Sequence, residues 1–261
     1  MQKRLISIAV ILAIVLPLII LGGLPFVLLI GLISVIIAKE LTDLYRIPNV
    51  VKLAVVISLI MITFHNFDSS VLGFGLDFYV ISLSLLILLL PIIFFQIKDK
   101  YTTKDAFEIM GFVLLLGIGL NYLILIRDLS LAYFLMLILI PIITDTFAFT
   151  AGKLIGNHKA TKLSPNKTWE GYIIGSLMGT FIMTVYYQLF IGNQTNLILL
   201  VGMILLMTII AQLGDLFFSA IKRQNNIKDF SNLIPGHGGV IDRLDSIIFA
   251  ALIFVILLGY L

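Results

Sequence analysis

The stretch DLFFSAIKRQNNIKDFSNLIPGHGGVIDRLD, running from Asp215 to Asp245, concentrates charge in a chain that is otherwise oily. An apolar run from Leu197 to Leu213 precedes it, interrupted only by glycine and uncharged polar residues, and a second runs from Ile247 to the C-terminus. A polar block held between two such runs decides the fold class: all-α, a polytopic integral membrane protein. If the first run continues as helix, Asp215, Ser219 and Lys222 fall on one face. Asp242 and Asp245 stand one turn apart at the start of the next helix, after a His-Gly-Gly turn that lets the backbone approach closely. Carboxylates for a divalent cation and basic groups for phosphate thus lie side by side, and this block is the expected functional centre.

Composition agrees. The 261 residues are 61% hydrophobic and 12% charged, whereas a soluble domain carries roughly 25% charge. The absence of cysteine excludes disulfides and thiol chemistry. A net charge of +3, with no basic stripe or aromatic ladder, gives nucleic-acid binding no support.

Working outward, spans are expected at 5–21, 24–38, 51–65, 71–95, 106–126, 131–150, 171–192, 196–218 and 246–261, about nine in all. The opening MQKRL and its apolar continuation superficially resemble a signal peptide, but no small-residue cleavage site follows, so the segment reads as a retained span. With the N-terminus in the cytoplasm, every one of the 17 basic residues except Arg127 falls on the cytoplasmic side. That asymmetry sets the orientation and places the C-terminus outside. Residues 1–261 read as a single membrane domain, with scaffold spans over 1–130 and catalytic spans and cytoplasmic loops over 131–261.

Asp145 lies about fourteen residues into its span, roughly 21 Å into a core about 30 Å thick, and Asp215 reaches the same cytoplasmic boundary. A carboxylate there costs about 2–3 kcal/mol unless paired, hydrated or bound to metal. For Asp145 the alternatives are a hydrogen bond to its threonine neighbours, a pair with Lys153, or a cation. The loop GKLIGNHKATKLSPNKTWEG, residues 152–171, carries Lys153, Lys159 and Lys162 as positive-inside anchors and groups Ser164, Asn166, Lys167 and Thr168 just before a helix, where free backbone N–H groups favour an anion. Lys167 is therefore a candidate phosphate contact, and Trp169 an interfacial residue. Lys222 and Arg223 end a span, and their spacing from Asp215 and Ser219 favours a site role over anchoring alone. His237 is either a solvated loop residue or a phosphate contact, and the glycines around it indicate a backbone packed against something. Asp242 and Asp245 face the same way, with Arg243 turned aside; two acids so placed call for a cation. Gly117, Gly119, Gly175 and Gly179 read as sites of close helix packing.

Taken together, these residues resemble the phosphatidate cytidylyltransferases, or CDP-diacylglycerol synthases. The family signature is matched without departure by Ser219, Lys222, Arg223, Lys228, Asp229, Ser231, Pro235, His237, Gly238, Gly239, Asp242, Arg243, Leu244 and Asp245, and the Asp145 segment and SPNKTWEG are similar to further family motifs. The strong match covers about the last 120 residues; the first half agrees only in being hydrophobic and multi-spanning. The resemblance implies transfer of a cytidylyl group from CTP to phosphatidate, giving CDP-diacylglycerol and pyrophosphate in phospholipid biosynthesis at the cytoplasmic face of the cell membrane. It implies Mg2+, with K+ a candidate second ion, and a homodimer, for which the scaffold spans of 1–130 are candidate contacts. On this reading Asp215, Asp242 and Asp245 are the metal ligands, with Asp145 a further candidate that otherwise supports the lysine loop. Those three acids and Lys222 form the catalytic set. Ser164, Asn166, Lys167, Thr168, Ser219, Arg223, His237, Gly238, Gly239 and Arg243 form the substrate-binding set.

Two rivals stand beside it. A CTP-dependent polyprenol kinase or a CDP-lipid alcohol phosphotransferase shares the chemistry class, but Asp242 to Asp245 lacks the longer run of acids that marks the phosphotransferases. An ion-coupled transporter places its acids near the midplane and often in repeated halves, and neither feature is present in this sequence.

Overall fold

The computed structural model describes residues 13–45, 47–65, 78–95, 100–192, 196–233 and 238–260. Among them no β-strand occurs, as expected where backbone polar groups must be satisfied within each segment. After helical residues 13–21 come α1 (Gly23–Tyr45), α2 (Asn49–Phe64), α3 (Phe78–Leu89), α4 (Ile92–Phe95), α5 (Thr103–Leu129), α6 (Leu131–Ile155), α7 (Trp169–Phe190), α8 (Leu197–Gln224) and α9 (Ile241–Leu258). Six stretches among the described residues are long and apolar enough to cross a bilayer: α1, Phe78–Phe95, α5, α6, α7 and α8. The protein is a multi-pass membrane protein.

Several helices outrun the apolar segments that announce them. The span expected to end at 38 continues to Tyr45, that expected to end at 150 continues to Ile155, and that expected to end at 218 continues to Gln224, while α9 begins ahead of residue 246. Counting apolar residues finds the part that suits lipid, but helical hydrogen bonding does not stop where lipid does. In α1 the extension carries Glu40 and Thr42, each only 3% exposed, so two polar residues of this helix end are buried in protein. The span expected at 71–95 is helical from Phe78 and is interrupted at Pro91, which has no N–H to give. Its first residues, and those before residue 13 in the first span, lie outside the described residues.

The chain forms two compact units. The first comprises Met1–Asp128 with Phe230–Ile241. Within it α2 meets α5 at Gly117, where a Cβ would stand 2.8 Å from Ile62, and Asn121 donates to the Thr63 carbonyl at 2.9 Å. Arg127 donates to the carbonyls of Ile19 and Ile20 at 2.6 and 2.8 Å, satisfying groups at a helix end just ahead of Gly22, whose φ is 64°.

The second unit comprises Leu129–Asp229 with Asp242–Leu261. Its centre is the seam between α6 and α7. Cβ atoms at Gly171 and Gly175 would fall 2.6 and 2.7 Å from the Ala148 and Thr144 carbonyl oxygens, and one at Gly179 would fall 2.5 Å from the Thr144 hydroxyl. Glycine every fourth residue thus lets the two backbones touch, the packing anticipated for Gly175 and Gly179. Gln212 of α8 reaches α7 through a 2.8 Å hydrogen bond to Ser176, and Gly214 lets α8 close on Phe249 and the Asp245 carbonyl of α9.

Candidate active site

Lys167 stands at the end of a loop whose shape is fixed by its own backbone. Ala160 N donates to the Lys167 carbonyl at 2.9 Å, Lys167 N to Ser164 at 3.1 Å, and Trp169 N to His158 at 3.0 Å. His158 is in turn bound to Glu170, its ring Nδ1 lying 2.6 Å from the carboxylate. Thr168 is the N-cap of α7, its hydroxyl accepting from Gly171 N at 3.2 Å. That hydroxyl sits where Cβ atoms at Gly152 and Gly156 would intrude, at 2.9 and 2.7 Å, so the two glycines of GKLIG make room for the cap.

The loop delivers its residues to a cavity of about 320 Å³ lined by Asp145, Ala148, Phe149, Ser164, Asn166, Lys167, Thr168, Gly171, Tyr172 and Asp215. Two stretches read separately in the sequence, the Asp145 segment and SPNKTWEG, therefore meet Asp215 here. Lys167 Nζ donates to Asp215 Oδ2 and lies 5.3 Å from the centroid of the Tyr172 ring. Burial alone would lower the pKa of this ammonium, but the charge and hydrogen bond of Asp215, with Asp145 behind it, outweigh burial and hold it above the ordinary lysine range. Asp145 thus faces the lysine loop, while its neighbour Thr146 donates to the Ile142 carbonyl at 2.7 Å.

Beyond the cavity, α8 continues as helix through Lys222, as the shared face of Asp215, Ser219 and Lys222 requires. Lys222 donates to Asp242 Oδ1 at 2.7 Å, and the two side chains are 12% and 4% exposed. Asp245 is buried, accepts from Ser246 N at 2.7 Å, and lies within electrostatic reach of Asp215, Lys222 and Asp145. The second unit thus gathers Asp145, Asp215, Asp242 and Asp245 with Lys167 and Lys222. Among the described residues no three acidic or histidine side chains converge tightly enough to hold a metal ion; Asp215 and Asp242 are each engaged by a lysine instead. Arg223 donates to the Ile227 carbonyl at 3.4 Å past the helix end, and Arg243 is exposed.

The glycine turn belongs to the first unit. His237 lies outside the described residues. Gly238 has φ 81°, and Gly239 is pressed against a carboxylate: its Cβ would stand 2.6–2.8 Å from the carboxyl atoms of Glu40. The object against which this backbone packs is therefore, at Gly239, another part of the protein. Glu40 and Tyr172 are the residues that sequence reading missed. The only sign of Glu40 was a carboxylate closing an apolar helix, and Tyr172 had none beyond its place one turn after Thr168.

Comparison with known proteins extends the match over the whole chain. A family model described as the cytidylyltransferase family covers residues 2–261. The chain is 32% identical over 265 residues to the phosphatidate cytidylyltransferase of Staphylococcus haemolyticus (strain JCSC1435), with 99% of each chain covered. It is 33% identical over 267 residues to the phosphatidate cytidylyltransferase of Staphylococcus aureus (strain COL), again over 99% of each. The first half, which by motif agreed only in hydrophobicity, is included in these matches. The chain belongs to the cytidylyltransferase family.

Proposed function

We propose that the protein transfers the cytidylyl group of CTP to phosphatidate, giving CDP-diacylglycerol and pyrophosphate, at the cytoplasmic face of the cell membrane. The observation that carries this reading is the cavity of Lys167, Asp215 and Asp145, in a chain similar along its whole length to proteins named phosphatidate cytidylyltransferase. An apolar cavity of about 380 Å³ adjoins it, lined among others by Trp169, Ile173, Leu177, Leu205 and Ile209, and Tyr172 borders both. A polar chamber beside an apolar one suits a lipid with an anionic head and acyl tails.

In the reaction an ionised oxygen of the phosphatidate phosphate attacks the α-phosphorus of CTP. A new P–O bond forms as the bond to the β-phosphate oxygen breaks, and pyrophosphate leaves with that electron pair. The attacking oxygen is already ionised near neutral pH, so no general base is assigned. Lys167 and Lys222 neutralise the two anions so that one can approach the other. Ser164 and Asn166 orient phosphate oxygens, whereas the Thr168 hydroxyl is committed to its helix cap. Ser219, Arg223, Arg243, His237, Gly238 and Gly239 complete the proposed substrate contacts.

Asp215, Asp242 and Asp245, with Asp145 as a further candidate, offer the hard oxygen donors that suit Mg2+, with K+ a candidate second ion. The donor type fits, and a metal held there would compete with Lys167 for Asp215 and with Lys222 for Asp242. When bound, the metal supplies positive charge to the triphosphate oxygens. About nine spans, a cytoplasmic N-terminus and a homodimer belong to the same proposal; the distribution of the 17 basic residues supports the orientation.

The test is incubation of detergent-purified protein with phosphatidate, α-labelled CTP and Mg2+. Label is expected in the lipid phase, lost with EDTA and not replaced by labelled ATP. Folded protein that labels no lipid acceptor overturns the reading.

A further inference from the structure

We infer that Glu40 is a positioning residue for the reaction, holding the backbone that leads into the helix bearing Asp242 and Asp245. Glu40 lies on α1 and is only 3% exposed. Its carboxylate accepts three hydrogen bonds from one short segment far along the chain: Oε1 from Ser231 Oγ at 2.6 Å and from Val240 N at 2.8 Å, and Oε2 from Ile241 N at 2.9 Å. Ile241 is the first residue of α9, and Asp242 follows it directly. The two amides are among those a helix start leaves without intrahelical partners, and a carboxylate is the acceptor that satisfies them best. An acid from the N-terminal half does this work.

The glycines of the turn fit the same account. Gly238 adopts a left-handed φ of 81°, and at Gly239 any Cβ would collide with the Glu40 carboxyl group. Gly239, Val240 and Ile241 therefore close on this carboxylate, and Ser231 meets it from an earlier point of the chain. The direction in which Asp242 leaves the turn depends on the backbone dihedrals of Val240 and Ile241, whose amides Glu40 fixes. Both residues are apolar and offer no polar side chain to hold that geometry instead.

The inference rests on the reading that Asp242 and Asp245 serve the cytidylyl transfer, and its test is arranged to separate the two. Glu40→Gln keeps the volume of the side chain but presents one acceptor oxygen in place of two, and Ser231→Ala removes one of its donors, together with the acceptor of Leu233 N. Amide exchange across 238–242 is compared with kcat and with KM for CTP in detergent. Glu40→Gln is expected to speed exchange at Val240 or Ile241 and to lower kcat, each roughly tenfold to a hundredfold, the range of one charge-assisted hydrogen bond. KM for CTP is expected to change by a smaller factor than kcat, because Glu40 acts through the turn and not on the reacting groups. Ser231→Ala should shift kcat in the same direction by a smaller factor. Folded Glu40→Gln protein with wild-type kcat and wild-type exchange overturns the inference, as does a fall in activity that only tracks the loss of folded protein. Exchange needs no turnover, so it distinguishes a wrong role for Glu40 from a wrong reaction.

Discussion

Replacing Lys222 with Met removes the ammonium bonded to the Asp242 carboxylate, and the structure sets the size of the effect. The pair is joined at 2.7 Å, and its side chains are 12% and 4% exposed, so water recovers little of the lost interaction. Removing one member of a buried pair costs about 3–5 kcal/mol. In a protein of this size each kcal/mol moves the melting temperature by about 2–4 °C, so Lys222→Met should melt roughly 6–20 °C below wild type. Adding Asp242→Leu removes the carboxylate as well, and most of the lost stability should return, because replacing both ions with apolar groups is close to neutral. The assay is size-exclusion recovery after heating in detergent, with CTP-dependent lipid labelling measured on the same samples. Both variants should be inactive, the double variant inactive while stable. A Lys222→Met protein melting within about 2 °C of wild type, or a double variant less stable than the single one, would refute the argument that the pair is a desolvated unit.

Gly175→Leu drives a side chain into the Thr144 carbonyl, which sits 2.7 Å from the position of a Cβ, and into Ala148 Cβ at 2.8 Å. A loss of at least about 1–3 kcal/mol and a lower melting temperature are expected, while Gly202→Ala, facing open space, should melt at or slightly above wild type. For the membrane orientation, alkaline phosphatase fused after Leu261 should be active outside the cell; a fusion active only as a cytoplasmic reporter would reverse the proposed topology.

The all-helical class was legible because apolar runs bounded by charge admit no other solution in lipid. The juxtaposition of Asp215, Asp145 and the SPNKTWEG loop was partly legible: depth along the helices put the two acids at one level, and the chemistry of the loop singled out Ser164, Asn166, Lys167 and Thr168, which line the same cavity. What could not be read was partnership. Nothing in the spacing of Lys167 says that Asp215 will take its ammonium, or that Thr168 will spend its hydroxyl on α7. Glu40 was invisible for a related reason. Its partners lie at Ser231, Val240 and Ile241, two of them backbone amides, and backbone groups leave no trace in a pattern of side chains. The helix ends beyond the apolar runs were missed because hydropathy registers lipid exposure, while helical hydrogen bonding runs on past the apolar segment.

The glycine seam between α6 and α7 has a mechanical consequence. Where backbones touch at Gly171 and Gly175, axial slip of one helix against the other would force α-carbons through carbonyl oxygens, so the two rods are keyed together like a spline. Asp145 rides on one rod, and Lys167 is tied to the other through the Thr168 cap. A displacement of either helix then carries both charges together, and the spacing between them is held as a fixed gauge.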